Sequence, residues 1–399
     1  MKGDKMHKKR KKAKKYFFLF LIIGIGAIGF YYIYENNLKS DKHIEEQTKK
    51  IIQIEDEEIQ ESIFQKSYQK ASKLVSSMTL EEKVGQLFLV RYNQQDISYL
   101  SNFYPGGYIL FAKDFENHTK ESIKKELELD QEKNKYRLIL GVDEEGGYVT
   151  RISRFPAFRS EKFLSPKSYY EKGGYALLEE VENEKAKLLK DIGINLNLAP
   201  VADVSTNEND FIYIRTFGRD AKETSEYIKN MVTYANNNEI NSCLKHFPGY
   251  GNNEDTHTGI AIDNRSYESI STNDYLPFKA GIEAGVPCVL VSHNIVTSID
   301  ENYPSSLSEK VIKELRDTLG FSGIIITDDL AMDAVKNYVE NGEAATLAIN
   351  AGNDMIITSD FLAMYNEVLK SVEEQKISEE TINKAVLRII AWKYYSDLL

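Results

Sequence analysis

The chain has 399 residues, and with 42% of them apolar it can bury a large core, which excludes wholesale disorder and allows one large domain or two ordinary ones. Residues 1–15 carry eight lysines and Arg10 against Asp4, so the whole-chain charge of −11 leaves −19 on residues 16–399; a body that acidic lacks the cations to neutralise phosphates, and no nucleic-acid partner is expected. Two cysteines exclude a disulfide framework and a four-thiolate zinc site.

From the N-terminus, the basic tail (1–15) leads into residues 16–34, YFFLFLIIGIGAIGFYYIY, which carry no charge. As a helix this stretch spans roughly 28 Å, about one hydrocarbon core. Aromatic residues cluster at both ends, as rings do at membrane interfaces, and the preceding cations place the N-terminus in the cytoplasm. A cleaved signal peptide would have a shorter apolar run followed by small residues, whereas Glu35-Asn36-Asn37-Leu38 follows here. An uncleaved single-pass anchor is therefore expected, with the body outside the cell membrane. Residues 35–72 are polar, with isolated isoleucines that keep no heptad, and read as a spacer that can be helical.

Beyond residue 73 short apolar runs alternate with amphipathic segments. The runs are 87–90, 108–111, 138–143, 194–198, 243–246, 288–293, 324–328 and 355–358, separated by helix-like stretches such as 221–236 and 309–319. Near-continuous apolar runs imply strands covered on both faces, hence a parallel sheet. Eight of them suit a TIM-like (β/α)8 barrel over 73–399, and no Gly-rich dinucleotide fingerprint supports an open doubly wound sheet. The connections 149–174 and 249–274 are long enough for lids or binding walls.

Functional groups of such a barrel sit at the carboxyl ends of its strands. Here those ends read Asp143-Glu144-Glu145, Lys245-His246, Ser292-His293-Asn294 and Asp328-Asp329. Alternation puts Ile324, Ile326 and Asp328 on one face and Ile325, Thr327 and Asp329 on the other, so only one of the two aspartates is expected in the barrel mouth. Asp255 and His257, two residues apart in an extended stretch, lie on one side, where a carboxylate can fix an imidazole for proton transfer. The rival use of the cluster is zinc, but no helical HExxH spacing is present, and neither metal nor cofactor is expected.

Separated stretches in fixed order, among them MTLEEKVGQL (78–87), PGGYILF (105–111), GVDEEGGYVTRI (141–152), IRTFGRD (214–220), KHFPGYGNNEDTHTG (245–259) and GFSGIIITDDLAM (320–332), resemble glycoside hydrolase family 3, in its β-N-acetylglucosaminidase branch. The resemblance covers roughly 73–399. It implies a barrel and retaining hydrolysis of terminal N-acetylglucosaminides of cell-wall or extracellular glycans through a covalent glycosyl-enzyme. Asp328 matches the nucleophile, which turns the Ile324/Ile326/Asp328 face inward. His257 and Asp255 match the acid/base dyad. Asp143, Arg151, Arg215, Lys245 and His246 match substrate-binding positions, with Asp203 and His293 behind them; for Arg215 a salt bridge bracing the rim is the alternative. Gly249, Gly251 and Gly259 are available as hinges for the loop that carries the dyad.

Two positions depart from the family's pattern, Tyr148 standing for its usual Arg and Tyr250 for its usual His, and the interval from Gly251 to Asp255 is a residue shorter than usual. A β-glucosidase or phosphorylase specificity, and a non-catalytic glycan-binding wall protein, are the alternatives. Cys243 and Cys288 are expected as buried free thiols, and the sequence carries no signal for an oligomeric state.

Overall fold

The computed structural model describes residues 62–252, 261–332, 335, 338, 339 and 343–399. The expected basic tail, membrane helix and most of the spacer lie outside the described residues, as do Asp255, His257 and Gly259. Among the described residues no helix is long and apolar enough to cross a membrane. From Gln65 the end of the expected spacer is already helical, Gln65–Val75, with Phe64 packed against Tyr395 at 5.2 Å between ring centroids.

Eight parallel strands close into a barrel: β1 Phe88–Arg91, β2 Gly107–Leu110, β3 Ile139–Val142, β4 Leu196–Asn197, β5 Asn241–Phe247, β7 Cys288–Val291, β9 Ile324–Thr327 and β10 Met355–Thr358, in the circular order β1-β10-β9-β7-β5-β4-β3-β2. Every one of the eight apolar runs read from the sequence overlaps one of these strands. Tight strand contact demands glycine at Gly107, where a Cβ would collide with the Ile139 carbonyl oxygen.

The helices start where the sequence caps them. Thr79 and Glu82 form a reciprocal capping box for Leu80–Gln86, and Asp220 accepts from the Glu223 backbone N–H at the start of Ala221–Asn237. Ile228, Met231 and Val232 of the latter pack with Leu244, Val289, Val291 and Ile325 in the layer between barrel and helices. Ile325 thus faces outward, and the alternate residues Ile324 and Ile326 face the barrel interior.

Three expectations change. The connection expected over 149–174 is shorter, because Ser165 caps a helix that begins with Pro166 and runs Pro166–Asp191. Gly174 interrupts it with φ 62°, ψ −156°, and that interruption hid the helix start in the sequence. The connection expected over 249–274 contributes a strand, β6 Ile262–Asp263, that pairs in a small two-stranded sheet with β8 Ile295–Val296, which follows β7. The segment expected as one helix over 309–319 is Glu309–Lys313 continued by a π-helical turn, Glu314–Thr318. Cys243 and Cys288 are register partners on β5 and β7, both buried and free.

Candidate active site

Side chains from the carboxyl ends of β2, β3, β5 and β9 and from the loops after β3 and β4 line an open cleft of about 750 Å³. Its floor is built from the three acids after β3. Asp143 and Glu145, two residues apart, both reach the Lys245 ammonium, each with an oxygen 2.6 Å from Nζ. Glu144 turns away and is fully buried; its carboxylate accepts the backbone N–H groups of Arg151 and Ile152 at 2.8 Å and the Ser153 hydroxyl. Glu144 therefore folds the loop back so that Arg151 reaches the cleft. Gly146 and Gly147 make the turn at φ 99° and 65°, and a Cβ on Gly146 would collide with the Leu164 carbonyl oxygen.

Further ion pairs extend this floor. Arg215 donates to Glu145 through Nη2 at 2.7 Å and Nε at 3.1 Å, and its Nη2 also lies 3.0 Å from His246 Nε2. On its other side His246 Nδ1 meets Asp203 at 2.8 Å, and Asp203 also accepts the Tyr250 backbone N–H at 2.8 Å. Arg151 is held more loosely, 3.8 Å from Asp143 and above the Phe111 ring at 5.2 Å. Three carboxylates (Asp143, Glu145, Asp203) thus face three cations (Arg151, Arg215, Lys245), and the floor is neutral when His246 is neutral.

Burial works against each charge, and the partners decide the outcome. It pushes the Glu145 carboxyl up, but Lys245 and Arg215 overcome it and hold the group at about 2. For Lys245 burial lowers the pKa, and Asp143 with Glu145 raises it above the ordinary lysine value. For His246 burial prevails: together with Arg215 it outweighs Asp203 and lowers the pKa below the usual 6.5.

The structure brings together Asp143, Arg151, Arg215, Lys245 and His246, the five positions expected to bind substrate, and places Asp328 on the same cleft. Asp328 follows β9; its backbone N–H donates to the Val291 carbonyl at 2.9 Å and its Oδ1 accepts the Asp329 N–H at 2.8 Å. Asp329 lines the cleft as well, contrary to the expectation that only one of the pair enters the mouth. Strand alternation ends with Thr327, and the Asp329 carboxylate is spent on the Ser359 hydroxyl (2.5 Å) and the Ala331 N–H (2.9 Å).

Arg215 both lines the cleft and braces Glu145, so its two sequence readings hold together. Asp203 stands behind His246, and His293 is fully buried behind the cleft wall, with Nδ1 2.8 Å from Ser306 Oγ and Nε2 3.1 Å from the Asp329 carbonyl. Sequence reasoning missed Glu145, whose two-residue spacing from Asp143 was the available signal. Among the described residues no group of three or more His, Cys, Asp or Glu is placed to hold a metal ion.

Residues 79–392 match the glycosyl hydrolase family 3 N terminal domain. The chain belongs to glycosyl hydrolase family 3. A β-hexosaminidase of Nitrosomonas eutropha is 31% identical over 289 residues, covering 69% of this chain and 79% of that one. A β-hexosaminidase of Methylobacillus flagellatus is 29% identical, covering 74% and 85%. Among solved structures, a glycoside hydrolase family 3 β-N-acetylglucosaminidase from Paenibacillus superposes with a TM-score of 0.75 at 27% identity, over 81% of this chain. This family 3 chain spans 63% of that enzyme's length. Of the two positions expected to depart from the family's pattern, Tyr148 stands exposed at the cleft mouth, while Tyr250 is buried edge-on against His246, its ring centroid 5.0 Å away.

Proposed function

We propose that this family 3 glycoside hydrolase is a retaining, exo-acting β-N-acetylglucosaminidase. The observation that carries the reading is the position of Asp328, on the wall of the cleft whose floor holds Asp143, Arg151, Lys245 and His246. A terminal sugar on that floor finds acceptors and donors for its hydroxyls and acetamido oxygen, with Asp143 accepting and Arg151 and Lys245 donating. Lys245, 2.6 Å from Asp143, fixes the acceptor in place before substrate arrives. The name of the Paenibacillus enzyme, a β-N-acetylglucosaminidase, supports the same sugar, and those of the β-hexosaminidase relatives support the hexosaminide class.

In this reading Asp328 attacks the anomeric carbon, forming a C–O bond as the bond to the leaving oxygen breaks. His257, oriented by Asp255, protonates that oxygen. The neutral imidazole then takes a proton from water, which attacks the glycosyl-enzyme and frees Asp328. The uncharged segment 16–34 anchors the enzyme in the cell membrane with the barrel outside, where it meets cell-wall or other extracellular glycans.

Turnover of N-acetylglucosaminides by wild type, Asp328→Asn and His257→Ala tests the proposal. Asp328→Asn is expected to abolish turnover. His257→Ala is expected to slow substrates with poor leaving groups most, since those require protonation. Equal loss for good and poor leaving groups contradicts the proton-transfer role.

A further inference from the structure

Away from its charged floor the cleft changes character. Tyr148, Ile214 and Phe211 line its mouth and are 71%, 58% and 38% exposed, whereas Lys245 and His246 on the floor are 2% and 4% exposed. Three large apolar side chains held in water around one opening are unfavourable unless something covers them.

Their placement is built in. Tyr148 sits at the tip of the turn closed by the Gly146 N–H to Val149 carbonyl bond at 3.0 Å, with the Lys162 ammonium fixing the adjoining Gly147 carbonyl at 3.1 Å. Ile214 lies in the 3-10 turn Tyr213–Arg215. Phe211 leans on Tyr250, ring centroids 6.1 Å apart, and Tyr250 in turn abuts His246. Each of two loops therefore delivers a cation to the floor and an apolar side chain to the rim: Arg151 with Tyr148, and Arg215 with Ile214.

We propose that Tyr148, Phe211 and Ile214 form the leaving-group subsite, and that it takes the apolar face of a second pyranose ring. The inference rests on the exo-acting reading above. If the terminal sugar fills the polar floor, its glycosidic oxygen points to the mouth and the next ring comes to rest against these side chains. The C–H face of a pyranose matches an aromatic face and a branched aliphatic chain, contributing packing and weak C–H contacts. The rim residues therefore set which aglycones are processed well, while the floor sets which sugar is removed.

Three substrates with the same N-acetylglucosaminyl group separate the two parts: the glycosyl fluoride, the nitrophenyl glycoside and the β-1,4-linked disaccharide. Full-length wild type, Tyr148→Ala, Ile214→Ser and Tyr148→Phe are compared by kcat/KM. Tyr148→Ala is expected to lose roughly five- to tenfold on the disaccharide and the nitrophenyl glycoside, the size of one lost ring contact. On the fluoride, whose leaving group is a single atom, the change is expected to stay under about twofold. Ile214→Ser should follow the same pattern more weakly, and Tyr148→Phe should keep the wild-type rates, because the ring and not the hydroxyl makes the contact. An equal loss on all three substrates, no loss on any, or a Tyr148→Phe as impaired as Tyr148→Ala overturns the subsite. A wild type idle on all three contradicts the proposed function, whereas an active wild type with unaltered variants contradicts the subsite alone.

Discussion

Arg215 Nη2 lies 3.0 Å from His246 Nε2, and this distance decides the protonation of the imidazole. A guanidinium has donors and no acceptor, so Nε2 must present its lone pair. The single ring proton then sits on Nδ1, where it is donated to Asp203 at 2.8 Å. His246 is a neutral ring locked by a carboxylate on one side and a cation on the other.

This ring is expected to stay neutral in the folded protein when the pH falls to its ordinary pKa of 6.5, because burial, aided by Arg215, outweighs Asp203. Long-range nitrogen–proton spectra of histidine-labelled protein read the tautomer directly. Just below pH 6.5 the unfolded chain binds a proton that the folded ring refuses, so the His246 contribution makes the protein less stable as the solution is acidified. A spectrum with both ring nitrogens protonated at pH 6.5 contradicts the assignment.

Glu145 is the hub of the floor, paired with Lys245 and Arg215 and almost fully buried. Glu145→Gln leaves two buried cations short of a partner, and a loss of roughly 3–5 kcal/mol of folding stability is expected in urea unfolding. The contribution of the carboxylate is fully present above its ordinary value of 4.5 and is lost as pH falls toward about 2. The stability difference between wild type and variant should therefore narrow in acid. A difference that is constant from pH 6 to 3 would argue against the pairing.

Much of this arrangement is legible in the sequence, for a physical reason. Strands covered on both faces must be apolar throughout, so each barrel strand appears as a run, down to the two residues of β4 inside 194–198. The polar groups that break those runs mark the barrel mouth. Elements whose cause is tertiary were harder to read. The two-residue strands β6 and β8 have no periodicity to detect, and Glu145 is one acid among three until its partners from β5 and the Arg215 loop are in place. Asp329 escapes the alternation rule because Ser359, distant in sequence, fixes its carboxylate.

Far from the cleft, Lys393 is fully buried and donates to Gln86 Oε1 at 2.6 Å; burial lowers its amine to about 7. Above pH 7 the folded amine gives up its proton while the unfolded lysine retains one to about 10.5, so this residue makes the protein more stable as pH rises through that window. Lys393→Met is expected to raise the melting temperature at pH 7 and to flatten its rise between pH 7 and 10. Calorimetry across that range is the check, and an unchanged pH profile would contradict the buried neutral amine.

Phe111 lies between two guanidiniums, with Arg91 Cζ 4.3 Å and Arg151 Cζ 5.2 Å from its centroid. Arg91 is secured by Asp114 at 2.6 Å, whereas Arg151 depends more on the ring. Phe111→Leu is expected to raise KM for N-acetylglucosaminides roughly two- to fivefold with kcat little changed, as one cation–π contact is lost. A fall in kcat alone would place Phe111 in a different role.

The central claim is that Asp328 bonds to the sugar. Reaction with a 5-fluoro N-acetylglucosaminyl fluoride, which slows hydrolysis of a glycosyl-enzyme, followed by peptide mass mapping, tests it most directly. One sugar attached to the peptide at Asp328, together with a product of retained anomeric configuration, is the expected result. A sugar attached to another residue, or turnover that inverts the anomeric centre with no adduct, would contradict it.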